Sequence, residues 1–181
     1  MKKPLTILFV LVLAGCGLNP PSGNAPQSTN QQKSAAPDFE LARVSGGTLK
    51  SSDLKGKITI VDFWATWCAP CISEIPNYNK IQEKYDGKGV QMLGITLESG
   101  PLKDIKPKVD NFQMKYAVVV GDDKVIQGFG GLIGFPTTFI VDKDWKVYKK
   151  YLGMTRNKKE MIEKDIEKLL AEEKAAEEKV S

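Results

Sequence analysis

Apolar residues fall along the chain in two alternating periods. Ile58, Ile60, Val61, Phe63 and Trp64 form a nearly unbroken β-branched and aromatic run, the signature of a strand covered on both faces. Asp62 is its one acidic interruption. Ile72, Ile75, Tyr78, Ile81 and Tyr85 then recur at helical spacing and predict an inward helix face, which Gly87 and Gly89 end. Val90 to Leu97 is the next strand, so strand, helix and strand make a parallel right-handed crossover. Leu102, Ile105, Val109 and Phe112 again have helical spacing, and Pro107 predicts a late start or a kink there. A short strand is expected from Tyr116 to Val120 and a short helix from Asp122 to Phe129.

Thr137–Val141 and Lys146–Leu152 flank Asp142-Lys143-Asp144 and read as an antiparallel hairpin. From Lys158 a helix should turn Met161, Ile162, Ile166, Leu169 and Leu170 inward. A second hairpin, Glu40–Val44 with Thr48–Lys50, is expected around Gly46-Gly47, and Asp53–Lys57 turns into the central strand. The alternation gives an α/β domain over residues 37–172. Residues 173–181 read as a charged, solvated helical or frayed tail, and residues 16–36, rich in Asn, Pro, Ser and Gln, as a flexible tether. A tether of that length reaches roughly 25 Å.

Candidate chemistry sits where the central strand meets its helix. The run Trp67-Cys68-Ala69-Pro70-Cys71 is a C-x-x-C motif, and Pro70 suits the first helical turn. Cys68 then lies near the helix N-terminus, where free N–H groups and the dipole favour a thiolate. A free cysteine with a pKa of about 8.5 is roughly 3% ionised at pH 7, and a C-x-x-C value of about 7 raises that to about half. The shift amounts to about 2 kcal/mol, near the upper limit for a helix dipole alone. Cys68 is therefore the expected nucleophile. Cys71, one turn deeper, is the resolving thiol that attacks the mixed disulfide, and it needs a base. Asp62 and Glu74 are the two candidate proton acceptors. Trp64 and Trp67 read as packing residues, with Trp67 covering one side of the pair.

The third cysteine has a different explanation. Lys2 and Lys3 followed by the apolar run Leu5–Leu13 make a signal segment, too short to span a bilayer. Leu13-Ala14-Gly15-Cys16 resembles a bacterial lipobox, which would make residues 1–15 a signal peptide and Cys16 the lipidated first residue of the mature chain. Cys68 and Cys71 remain as a pair closing almost no loop, so chain entropy gives little reason for it and reactivity gives a good one.

V-D-F-W-A-T-W-C-A-P-C followed by Pro76 resembles thioredoxin, and with G-F-P-T-T-F at 134–139 it is more similar to the TlpA/ResA-like family of membrane-tethered thiol–disulfide oxidoreductases. The resemblance covers residues 37–170. It implies a thioredoxin-like fold, a central mixed sheet flanked by helices, with an N-terminal β-hairpin and a central strand–helix insertion. It also implies a cis-proline at Pro136 facing the C-x-x-C motif, with Phe135 offering backbone groups to an extended partner. Trp67, Ala69, Pro70, Phe135, Pro136 and Thr137 are then the expected substrate-binding residues. Asp62 matches the buried aspartate of thioredoxin and Glu74 the glutamate of ResA-type proteins; carrying both departs from either pattern.

By the same resemblance the protein would be an extracytoplasmic reductant of exported protein disulfides, for example the haem-binding cysteines of apocytochromes c; with the lipobox-like motif it would be lipid-anchored, and a monomer is expected. Its electrons would come from a transmembrane thiol donor of the CcdA/DsbD type. A disulfide-forming oxidant of the same fold and a non-catalytic lipoprotein binding module are the alternatives. No cofactor is expected beyond the redox-active disulfide.

Composition removes other classes. The formal charge of +4 falls to about +2 without Lys2 and Lys3, too little and too scattered for nucleic acid. With no histidine and two available cysteines there is no closed zinc site, and Ile72 stands where c-type haem attachment needs histidine. Ala65 stands three before Cys68, where a peroxiredoxin-type peroxidase needs threonine. The glycines at 128–134 enter a strand instead of opening a helix and lack the Lys-Ser/Thr of a phosphate loop.

Overall fold

The computed structural model describes residues 34–178. The signal segment and Cys16 lie outside the described residues. Seven strands and four helices follow the predicted order: β1 Glu40–Ala42, β2 Thr48–Lys50, β3 Ile58–Trp64, α1 Ala69–Tyr85, β4 Val90–Thr96, α2 Leu102–Asn111, β5 Ala117–Val120, α3 Asp123–Gly128, β6 Thr137–Val141, β7 Val147–Leu152 and α4 Lys158–Glu177. A 3-10 turn at Ser51–Leu54 separates β2 from β3.

Five strands make one mixed sheet in the order β5-β4-β3-β6-β7. β4 runs parallel to both β3 and β5, while β6 runs antiparallel to β3 and β7. β3 is therefore central, and all seven of its residues are buried. Its alternation divides the core. Ile58 and Ile60 pack with Tyr78, Ile81 and Tyr85 of α1 and Ile162, Ile166 and Leu169 of α4. Val61 and Phe63 point the other way, into a cluster with Leu41 and Leu49 of the hairpin and Val125 and Phe129 at α3. By the same alternation Asp62 shares the α1 side with Ile60 and Trp64.

Several expectations need correction. Ile72, placed on the inner face of α1, is half-buried, and the buried set includes Cys71 and Glu74. Met161 is 44% exposed, although its neighbour Ile162 is fully buried. α2 begins at Leu102 and passes through Pro107, so the proline neither delays the start nor ends the helix. Its ring removes only the N–H that would reach back toward Lys103, within the first turns of an otherwise exposed helix.

The fold also starts before residue 37. Ala35 bridges to Lys146, the Val147 N–H donates to the Ser34 carbonyl at 2.8 Å, and Ala36 is buried, so the end of the expected tether is tied to β7. At the other end α4 continues through the 172/173 boundary as an exposed helix to Glu177. No helix among the described residues is long and apolar enough to cross a membrane.

Candidate active site

β3 ends at Trp64, and the chain passes through Ala65 and Thr66 to reach α1. The Cys68 N–H donates to the Ala65 carbonyl at 3.1 Å, which closes the turn. Cys68 is the N-cap of α1, with extended backbone, and its carbonyl accepts the first helical bond from the Ile72 N–H. Its Sγ accepts the Cys71 N–H at 3.3 Å. A sulfur in that position receives the donor a serine or aspartate cap would otherwise satisfy, and it sits at the positive end of a 17-residue helix. Pro70 occupies the first helical turn, where no N–H is needed.

Cys68 and Cys71 are joined in a disulfide, 5% and 1% exposed respectively. Ala69 and Pro70 between them are exposed, so the pair is approached from the helix N-terminus.

The loop from Leu132 to Pro136 forms the facing wall. The Phe135–Pro136 peptide is cis. Register pairs Phe63 with Thr137 and Asp62 with Thr138, which brings Pro136 level with Trp64 at the end of β3. The Pro136 carbonyl accepts the Gly153 N–H at 2.9 Å, and the Thr137 hydroxyl donates to the Gly134 carbonyl at 2.6 Å. Phe135 packs against the cluster that holds both cysteines.

Trp67 departs from its expected packing role. It is 59% exposed, its Nε1–H donates to the Glu98 carbonyl at 2.8 Å, and its ring meets Phe135 edge-on at 5.8 Å. With exposed Met154, these rings make an apolar rim beside the disulfide. Met154 is held to α1 by the Ser73 hydroxyl, 3.2 Å from its sulfur.

Beneath the pair lies a buried polar cluster. Asp62, Glu74 and Thr138 are buried, as are the hydroxyl of Tyr78 and the whole of Lys158. Thr138 Oγ1 donates to Asp62 Oδ1 at 2.8 Å, and the Tyr78 hydroxyl lies 3.3 Å from the same oxygen. That hydroxyl is also 3.1 Å from Glu74 Oε2 and 3.0 Å from Thr138 Oγ1. Lys158 Nζ donates to Glu74 Oε2 at 2.9 Å and to the Gly153 carbonyl at 3.1 Å.

Burial pushes Asp62 up to about 7, although Lys158 and the Thr138 hydroxyl act to lower it. Burial, with Asp62 and Glu74 close by, holds the Tyr78 and Tyr116 phenols well above their usual range. A carboxylate in that range is half-protonated near neutral pH and can take or give a proton.

Both candidate acceptors are therefore brought together, joined through one tyrosine. Cys71, Glu74 and Tyr78 stand at i, i+3 and i+7 along α1, on its buried face. Sequence reasoning missed Lys158, Tyr78 and Thr138 as polar partners. Lys158 opens a lysine-rich helix and looks solvated, whereas its ammonium lies 84 positions from the carboxylate it pairs with. The one available signal was the i, i+4 spacing of Glu74 and Tyr78. Among the described residues no cluster of three or more His, Cys, Asp or Glu side chains is arranged to hold a metal.

A family model described as the AhpC/TSA family matches residues 33–150. The chain belongs to that family. Within it the chain is 31% identical over 165 residues to the thiol-disulfide oxidoreductase ResA of Bacillus thuringiensis, covering 90% of this chain and 94% of that protein. Among solved structures it is similar to a putative thiol:disulfide interchange protein DsbE from Chlorobium tepidum, with a TM-score of 0.71 and 31% identity over 76% of this chain and 96% of that one. The exposed lipoprotein thioredoxin Etrx1 of Streptococcus pneumoniae superposes with a TM-score of 0.65 at 28% identity, covering 74% of this chain and 100% of that one. The fold is thioredoxin-like. This AhpC/TSA member is a thiol–disulfide oxidoreductase, with Cys68 and Cys71 forming its C-x-x-C pair.

Proposed function

We propose that the protein reduces disulfides of exported proteins from a lipid anchor outside the cytoplasm, with Cys68 as nucleophile and Cys71 as resolving thiol. The observation that carries this reading is Cys68 at the N-cap of α1, its sulfur already accepting the Cys71 amide. The same amide and dipole stabilise a thiolate in the reduced form.

In the reaction, Cys68 Sγ⁻ attacks one sulfur of the partner disulfide. One S–S bond breaks, the partner's other sulfur leaves as thiolate, and a mixed disulfide forms. Cys71 then loses its proton and attacks Cys68, closing the Cys68–Cys71 bond and releasing the partner as a dithiol. Two electrons pass from the cysteine pair to the partner. Asp62 is the proposed acceptor of the Cys71 proton, with Glu74 behind it. The apolar rim of Trp67, Phe135 and Met154 is the proposed seat for the partner's extended segment, with Ala69, Pro70, Pro136 and Thr137 completing its floor.

The direction of electron flow and the suggestion of apocytochromes c as substrates rest on the resemblance to TlpA/ResA-like proteins, as does the transmembrane thiol donor that would restore the dithiol. The anchor rests on the Leu13–Cys16 motif and is in keeping with the lipoprotein relative from pneumococcus. Replacing Cys71 by Ser tests the thiol chemistry: the variant should accumulate a Cys68-linked mixed disulfide with its exported partner, identified by mass spectrometry. Recovery of no thiol-sensitive adduct would refute it. Cys16→Ser should release the protein from the membrane fraction if the anchor is correct.

A further inference from the structure

The buried cluster holds two carboxylates and one ammonium. Lys158 pairs directly with Glu74, and its charge also acts on Asp62. One cation compensates one of the two negative charges, so the cluster is neutral when it carries one proton on either carboxylate. A continuous line of hydroxyls joins those two positions. It runs from Asp62 Oδ1 to Thr138 Oγ1 at 2.8 Å, on to the Tyr78 hydroxyl at 3.0 Å, and from there to Glu74 Oε2 at 3.1 Å. The direct contact between Tyr78 and Asp62 is longer, at 3.3 Å. Every route between the carboxylates passes through the Tyr78 hydroxyl.

The Glu74 end leads outward. Glu74, Tyr78 and Lys158 line a pocket of about 150 Å³ that is completed by Met154 and Arg156, beside the first turn of α4. Asp62 does not line it.

We propose that Tyr78 and Thr138 relay the proton taken up by Asp62 to Glu74, which gives it to water in the pocket at Lys158. The proposal rests on Cys71 and Asp62 having the roles given above. The transfer balances. Asp62 gives its proton to Thr138 Oγ1, Thr138 gives its own to the Tyr78 oxygen, and Tyr78 gives its own to Glu74. Both hydroxyls end with one proton each, and the carboxylate charge has moved from Glu74 to Asp62. Lys158 faces a single carboxylate charge before and after. Emptying Asp62 draws the reversible proton transfer from Cys71 forward while the thiolate attacks Cys68, so the relay acts within a single closure, with no water entering beneath the cysteine pair. Tyr78 and Thr138 act through Asp62 and are positioning residues.

The test is the rate of internal disulfide closure. Reduced protein is mixed with a disulfide-containing peptide and followed by tryptophan fluorescence between pH 5 and 9. Alkylation of Cys68 reports the first step separately. Five groups face Asp62: Glu74 and Tyr78 of α1, Thr138 of β6, Lys158 of α4, and Tyr116 just before β5. Removing a hydroxyl also removes a hydrogen bond that favours the Asp62 carboxylate, which shifts the profile along the pH axis and leaves its plateau unchanged.

A broken relay instead lowers the plateau. Tyr78→Phe keeps the ring and should lower it about a hundredfold, the lower end of the range for lost proton transfer. Thr138→Val should lower it a few-fold, because the longer direct contact remains, whereas Thr138→Ser should match the wild type. A packing role predicts the reverse order for the two Thr138 variants. In mixed light and heavy water the wild-type rate should curve with deuterium fraction, as expected when several protons move together, and become linear in Tyr78→Phe.

An unchanged plateau in Tyr78→Phe overturns the relay. If Asp62→Asn also closes at the wild-type rate, the assignment of Asp62 fails with it. If wild-type protein does not reduce the peptide, the functional reading fails first.

Discussion

Asp62→Asn should stabilise the protein at neutral and alkaline pH. Its carboxyl is raised from 3.8 to about 7, with burial the leading cause. Between about pH 4 and pH 7 the folded state therefore holds a proton that the unfolded state has released. Stability is then fully present below about pH 4 and falls as pH rises through the folded value, by about 1.36 kcal/mol per unit. Over the interval the loss is about 4 kcal/mol, against a typical total of about 5–15. Asparagine is neutral throughout and has the shape of the protonated acid. Its amide oxygen can still accept the Thr138 hydroxyl, which lies 2.8 Å from Oδ1.

The assay is urea unfolding of oxidised protein from pH 3 to 9, with the disulfide keeping both cysteines from titrating. Wild type and variant should coincide near pH 3 and separate progressively above it. By pH 8 the variant should be more stable by about 4 kcal/mol. Parallel curves across the range, or a variant less stable at pH 8, would refute the buried, proton-holding Asp62.

Lys158→Met removes the ammonium and leaves Glu74 buried without its partner, at a cost of about 3–5 kcal/mol. Adding Glu74→Gln should recover most of that loss in a double-mutant cycle; additive losses would show that the pair is not coupled. Trp67→Ala should change stability by about 0.5 kcal/mol or less, since the ring is 59% exposed. It should weaken protein substrates about tenfold in KM while sparing small disulfides, as a lost aromatic anchor does. Equal effects on both substrates would contradict the rim.

What the sequence made legible was whatever depends on neighbours along the chain. β3 stands out because every position is buried, and the start of α1 because Cys68 and Pro70 meet the local needs of a helix N-terminus. Asp62 and Glu74 were legible as candidate acceptors, but their partners were not, since the cluster is assembled from four elements. Glu74 looks like an ordinary helix carboxylate until Lys158 of α4 is laid over it. Thr138 becomes a partner of Asp62 only through the antiparallel register of β3 and β6.

Period alone also failed at the edges of faces. Met161 has the spacing of the inner face of α4 and lies at its margin, exposed. Trp67, read as packing over one side of the pair, is held on the surface by its Nε1 bond to Glu98 and its contact with Phe135. Tyr151 and Asp165, which share a short hydrogen bond between β7 and α4, were equally invisible, being a tertiary pair without a local pattern.

The most direct test of the account is the reduction potential of the Cys68–Cys71 pair, equilibrated in thiol redox buffers. Trp64 packs in the same cluster as both cysteines, and its fluorescence should report the change. A reductant of exported proteins should give a value near about −250 mV or lower, close to thioredoxin at about −270 mV. A value near about −120 mV, that of a strong disulfide-forming oxidant, would contradict the proposed direction of electron flow.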